Sequence, residues 1–162
     1  MISVINTLGA SNLSTDSRAD LDFYATPPYV VEQLLGLEKF SCNIWEPACG
    51  DGHISSTLIH NGFNVRSSDI VQRNFSCEIL DFLNIEDEFN CDIITNPPYK
   101  QALDFVVTAL DYATNGNKIA MLLPLRFLET KARRHLFDRM PPVRCWVSTS
   151  RITCAKDADF EK

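Results

Sequence analysis

At 162 residues and 45% hydrophobic content, the chain is long and apolar enough for one domain with a real core, which excludes a disordered or fibrous protein. No apolar run reaches the ~20 residues of a membrane span, and residues 1–21 lack the basic-then-apolar pattern of a secretory leader. The net charge of −6 hides a division: residues 1–116 carry 5 basic and 16 acidic side chains, residues 117–156 carry 9 and 2. With charges screened over ~8 Å, the basic stretch can meet a polyanion despite the total.

The six cysteines (42, 49, 77, 91, 145 and 154) form no C-x-x-C pair, so no metal is expected and the thiols read as small hydrophobes of a reducing cytoplasm. His53, His60 and His135 share no metal or triad spacing.

Residues 1–21 are Ser-, Asn- and Thr-rich without periodicity and are expected to be disordered or loosely attached, leaving 22–162 as the folded domain. Thr26 is placed to cap a helix over Tyr29 to Leu35, with Pro27 or Pro28 in its first turn and Gly36 ending it. Asn43 to Glu46 is a strand, Pro47 to Gly52 a glycine turn, and His53 to His60 a helix. Strand, glycine turn and helix begin a nucleotide-binding α/β domain. The turn departs from G-x-G-x-x-G, and Glu46 and Asp51 put negative charge where a pyrophosphate would sit. That suits a ligand with a cationic amino or sulfonium group.

Phe63 to Ser68 predicts a second strand ending in Asp69, placed for ribose hydroxyls, with Ile70 beside a purine. Cys77 to Leu80 predicts a third, ending at Asp81 and Phe82, an acceptor for an adenine amino group and a face for its ring. Any one of these acids alone is usually a cap or a loop charge; three at successive strand ends are harder to dismiss. Cys91 to Ile94 is a buried strand running into Thr95-Asn96-Pro97-Pro98-Tyr99. Two prolines stiffen that turn. It can hold the Asn96 amide, the Pro97 carbonyl and the Tyr99 ring fixed, two acceptors and a stacking plate for a planar amine. Lys100 to Ala113 predicts a helix, Lys118 to Leu123 a central strand, Thr130 to Asp138 a basic amphipathic helix and Val143 to Val147 a last strand.

Taken in order, Tyr24-Ala25-Thr26-Pro27-Pro28, Glu46-Pro47-Ala48-Cys49-Gly50-Asp51-Gly52, Asp69, Asp81-Phe82 and Asn96-Pro97-Pro98-Tyr99 resemble a class I S-adenosylmethionine-dependent methyltransferase. Within that class the chain is similar to the gamma-type DNA N6-adenine methyltransferases of bacteria and phages, over residues 22 to about 152. The resemblance implies a Rossmann-like sheet with helices on both faces, closed by an antiparallel C-terminal pair; nothing after Arg151 reads as the second strand of that pair. It implies that Tyr24, Thr26 and Pro27 hold the methionine end of S-adenosylmethionine, with Glu46, Ala48 and Gly50 along the methionine portion. Asp69 would take the ribose, Ile70 and Phe82 the adenine ring, and Asp81 its amino group. Asn96, Pro97, Pro98 and Tyr99 would form the catalytic turn. Arg126, Lys131, Arg133, Arg134 and Arg151 are the expected phosphate contacts to nucleic acid, most naturally DNA. No separate recognition domain is visible, which leaves room for a homodimer. RNA adenine, a protein glutamine amide, or binding without turnover remain as alternatives.

Overall fold

The computed structural model describes residues 2–7 and 24–154. In chain order these form β1 (Ile2–Thr7), α1 (Pro28–Leu37), β2 (Asn43–Glu46), α2 (His53–His60), β3 (Asn64–Asp69), β4 (Glu78–Ile79), β5 (Asp92–Thr95), α3 (Ala102–Tyr112), β6 (Ile119–Pro124), α4 (Arg134–Arg139) and β7 (Arg144–Val147). Short 3₁₀ turns precede α3 and α4 and follow β4 and β6. The fold is α/β. The strands make one sheet in the order β4-β3-β2-β5-β6-β1-β7, and every pairing is parallel.

Both faces of this sheet are covered, and the strand sequences show why. Adjacent residues on a strand point to opposite faces. On one side Ile44, Ile94 and Ala120 meet Val31 and Leu34 of α1 and Ile54 and Leu58 of α2. On the other, Trp45, Ile93, Ile119, Met121 and Leu123 meet Ala102, Phe105, Val106 and Ala109 of α3, together with Phe82, Phe89 and Phe127. All six residues of β6 are buried, as its unbroken apolar run requires. At ~1.5–3 kcal/mol per fully buried large side chain, these two layers are the main stabilising term.

The amino-terminal edge of the sheet is tied by carboxylates. Asp92, at the start of β5, accepts from the Ser41 amide (2.6 Å) and the Lys118 amide (2.7 Å). Glu38, 5% exposed at the end of α1, accepts from Nε and Nη2 of the Arg144 guanidinium and from the Trp146 indole N–H (3.1 Å), and pairs with the Lys118 ammonium (3.6 Å). The Arg144 hydrogen bonds are the largest influence and hold its carboxyl down at about 2, against the opposing effect of burial.

Three expectations are corrected. Residues 2–7 are not loosely attached: they form β1, between β6 and β7, while residues 8–21 lie outside the described residues. The anticipated antiparallel pair is absent among the described residues, since β7 runs parallel to β1. Gly36 sits inside α1, which continues to Leu37, and Thr26 makes no cap hydrogen bond; its hydroxyl is engaged elsewhere.

Candidate active site

The carboxyl-terminal ends of β2, β3 and β5 converge on a cavity of about 280 Å³. Ligands in open α/β sheets bind at this end of the strands. Its first wall is the turn after β2. Gly50 (φ 55) and Gly52 (φ 77) both take the left-handed conformation that glycine adopts without penalty. A Cβ at Gly52 would also lie 2.2 Å from the Phe75 ring. The turn is anchored by Asp69, whose Oδ2 accepts from the Gly50 amide (2.9 Å) and whose Oδ1 accepts from Val71 N (3.1 Å). The Cys49 amide donates to the Ser68 carbonyl (3.0 Å), stitching the turn to β3.

Glu46 ends β2 with its side chain buried, lining the cavity. It accepts from the Ser55 hydroxyl on α2, which is itself 2.6 Å from the Ser67 hydroxyl. Burial pushes its carboxyl up to about 8; the Ser55 hydrogen bonds work against that, and nearby Asp69 adds to it. A carboxyl so placed gains by meeting a cation.

The second wall is the turn after β5. Asn96 Nδ2 donates to Thr26 Oγ1 (3.1 Å) and lies 3.9 Å from Cys154 Sγ. Asn96 Oδ1 is buried and accepts no hydrogen bond among the described residues. Pro98 leaves the turn extended (φ −54, ψ 124), and Tyr99 starts a 3₁₀ turn that leads into α3. Burial raises the Tyr99 hydroxyl above its ordinary pKa, with Cys154, Tyr24 and Arg126 close by. The Cys154 thiol is pushed up to about 11, by burial first; hydrogen bonds with Thr26, Tyr99 and Asn96 oppose the rise.

Of the residues named from sequence, Tyr24, Thr26, Glu46, Ala48, Asp69, Ile70, Asp81, Phe82, Asn96 and Pro98 line the cavity together. Pro27, Gly50, Pro97 and Tyr99 flank it without lining it. Sequence reasoning missed His53, Arg73, Lys100, Gln101 and Phe105 on its wall. Phe105 lies on the helix expected over Lys100 to Ala113, but no spacing links Arg73 to the motifs.

Several assigned residues have other duties as well. Asp81 is exposed and accepts from Leu83 N (3.0 Å) and Asn84 Nδ2 (2.6 Å), capping the turn at 82–84. Phe82 is a core residue, edge-on to Trp45 (centroids 5.1 Å apart) and tilted against Phe105 (5.1 Å), with only part of it reaching the cavity. Arg133 turns inward: it donates to the carbonyls of Phe127 and Arg126 and lies 4.3 Å over the Phe127 ring. Arg134 is paired with Asp138 at 3.6 Å, whereas Arg126, Lys131 and Arg151 are exposed. No group of His, Cys, Asp and Glu with metal-binding geometry occurs among the described residues, nor a helix long and apolar enough to cross a membrane. No family model, curated protein or solved structure matches the chain.

Proposed function

We propose that the chain is an S-adenosylmethionine-dependent methyltransferase acting on the N6 amino group of adenine in DNA. One observation carries the reading. Asn96 Oδ1 is buried at the cavity end of β5 without a donor, while its own amino group is held by Thr26. An orphaned buried acceptor costs ~1–3 kcal/mol. A ligand that brings an N–H recovers that energy, and an exocyclic amine brings two.

The residues fit the cofactor's chemistry. Glu46 offers a buried carboxyl that a cationic methionine amino group would hold in its ionised form. Asp69, Ile70, Asp81 and Phe82 line the same cavity and would take the ribose and the purine. S-adenosylmethionine supplies an electrophilic methyl group on a sulfonium; the chain supplies position and charge. An adenine amine is a poor nucleophile because its lone pair is delocalised into the ring. Asn96 Oδ1 and the Pro97 carbonyl accept its two hydrogens and draw the nitrogen towards tetrahedral geometry. Held so, the nitrogen lone pair would be aimed at the methyl group that the cofactor would supply, and the same two acceptors would hold the surplus proton until water takes it. Catalysis of this kind is positioning and electrostatics, without a strong base. The base must first leave the duplex at a cost of a few kcal/mol. Tyr99 would offset part of that by stacking, and Arg126, Lys131 and Arg151 would hold the flanking phosphates.

The test is transfer of tritium from labelled S-adenosylmethionine to unmethylated bacterial DNA, run beside Asn96→Ala. Label in N6-methyladenine, reduced ~100-fold or more in the variant, is the expected result. Cofactor binding with no transfer to DNA would move the reaction to an RNA or protein acceptor. No cofactor binding at all would end the reading.

A further inference from the structure

Three side chains from separate stretches of the chain meet at the cavity: Thr26 ahead of α1, Asn96 after β5 and Cys154 beyond β7. Thr26 Oγ1 (3.1 Å) and Cys154 Sγ (3.9 Å) both face Asn96 Nδ2, and Tyr99, in the turn that follows β5, is close enough to Cys154 to influence its thiol. The last segment is fastened close by, where Ile152 is buried against Val30 and Leu122.

What these contacts decide is the orientation of an amide. An asparagine can rotate its terminal group by half a turn, exchanging oxygen for nitrogen. With Oδ1 towards the cavity it accepts from an amine. With Nδ2 there, its hydrogens would oppose the amine's own. Here Thr26 Oγ1 and Cys154 Sγ both stand on the Nδ2 side as acceptors, at 3.1 and 3.9 Å, and two acceptors on one side favour the amino group there and leave Oδ1 for the other. We propose that Cys154 is a positioning residue: together with Thr26 it holds the Asn96 amide so that Oδ1, not the amino group, faces the amine to be methylated. The inference rests on the methyltransferase reading above.

The experiment compares wild type, Cys154→Ser and Cys154→Val in methyl transfer to unmethylated DNA. Affinity for S-adenosylhomocysteine by calorimetry and thermal midpoints are measured alongside. Losing one orienting hydrogen bond predicts a ~10-fold fall in kcat for the valine variant. The serine variant, which keeps an acceptor for Asn96 Nδ2, is expected within ~3-fold of wild type. Product-cofactor affinity is expected to be unchanged in both. A packing role predicts the opposite order, since valine fills an apolar site better than serine does. Valine as active as serine, or more so, therefore overturns the proposal. Should valine misfold, Cys154→Ala, which cannot overpack, makes the same comparison with serine. A wild type that turns over with an unaffected valine variant sinks this inference alone; a wild type that methylates no acceptor sinks the reading and this inference with it.

Discussion

Two glutamates, both almost wholly buried, sit at opposite ends of the same sheet and are treated in opposite ways. Glu38, at the amino-terminal edge, is surrounded by Arg144, Lys118 and the Trp146 indole, and its carboxyl is held down at about 2. Glu46, at the carboxyl-terminal end, receives the Ser55 hydroxyl, and burial lifts it to about 8. A buried charge that serves the fold is satisfied by the fold. One left short of a cation beside a cavity is waiting for something the chain does not contain. The buried Oδ1 of Asn96, a residue of the same cavity wall, is without a donor among the described residues and follows the same logic.

The comparison can be broken by mutation. Glu38→Ala strands Arg144 and the Trp146 N–H and leaves the Lys118 ammonium with the Lys39 carbonyl. Breaking a fully buried pair costs ~3–5 kcal/mol, but Arg144 is 40% exposed, so water rescues part of the loss. A drop of about 2 kcal/mol in urea unfolding is expected. Gly52→Ala should cost about 1–2 kcal/mol by the same measurement, from its positive φ and the Phe75 ring. It should also weaken cofactor binding, because Gly52 closes the turn against which the ligand would lie. Glu46→Gln should change ligand-free stability at pH 7 by less than about 1 kcal/mol, yet reduce cofactor affinity ~10-fold or more by removing the carboxylate. If that variant is as destabilised as Glu38→Ala, the two glutamates are both structural and the contrast fails.

Proton linkage sharpens the same contrast. Between about pH 2 and 4.5 the unfolded chain binds a proton at Glu38 that the folded chain does not, so this residue makes stability rise with pH and be lost as pH falls through that window. Between 4.5 and about 8 the folded chain keeps a proton at Glu46 that the unfolded chain has released, so this residue makes stability fall as pH rises. Denaturant melts across pH should therefore lose their acid-side rise in Glu38→Gln and their neutral-side decline in Glu46→Gln.

Most of the sheet could be read from the chain because its strands are short apolar runs between turn residues; β2 and α2 fall at the expected positions. Short-range punctuation was legible, and long-range pairing was not. Thr26 has the sequence context of a helix cap, and its bond to Asn96 spans 70 residues that no local pattern reports. Phe82 follows an acid at a strand end, as a ring-stacking residue would, but the aromatic cluster with Trp45 and Phe105 claims it. Arg133 reads as one more cation of a basic helix, though two carbonyls and the Phe127 ring hold it down. The cavity itself was the most legible feature, because carboxyl ends of parallel strands gather wherever the strands do. β1 was the least: Ile2 to Thr7 is one short run, and its meaning depends on partners at Ile119 and beyond.

That placement sets a timetable for folding. β1 is synthesised long before β6 and β7, and it pairs with both. Until those strands leave the ribosome, it has nothing to lie against. Among the described residues, β7 in turn finds its sheet partner in β1 alone. The edge of the sheet must therefore close late, in a step that waits for a long loop and pays its entropy. A hydrogen-exchange pulse during refolding should show β2, β5 and β6 protected first, with β1 and β7 gaining protection together and last.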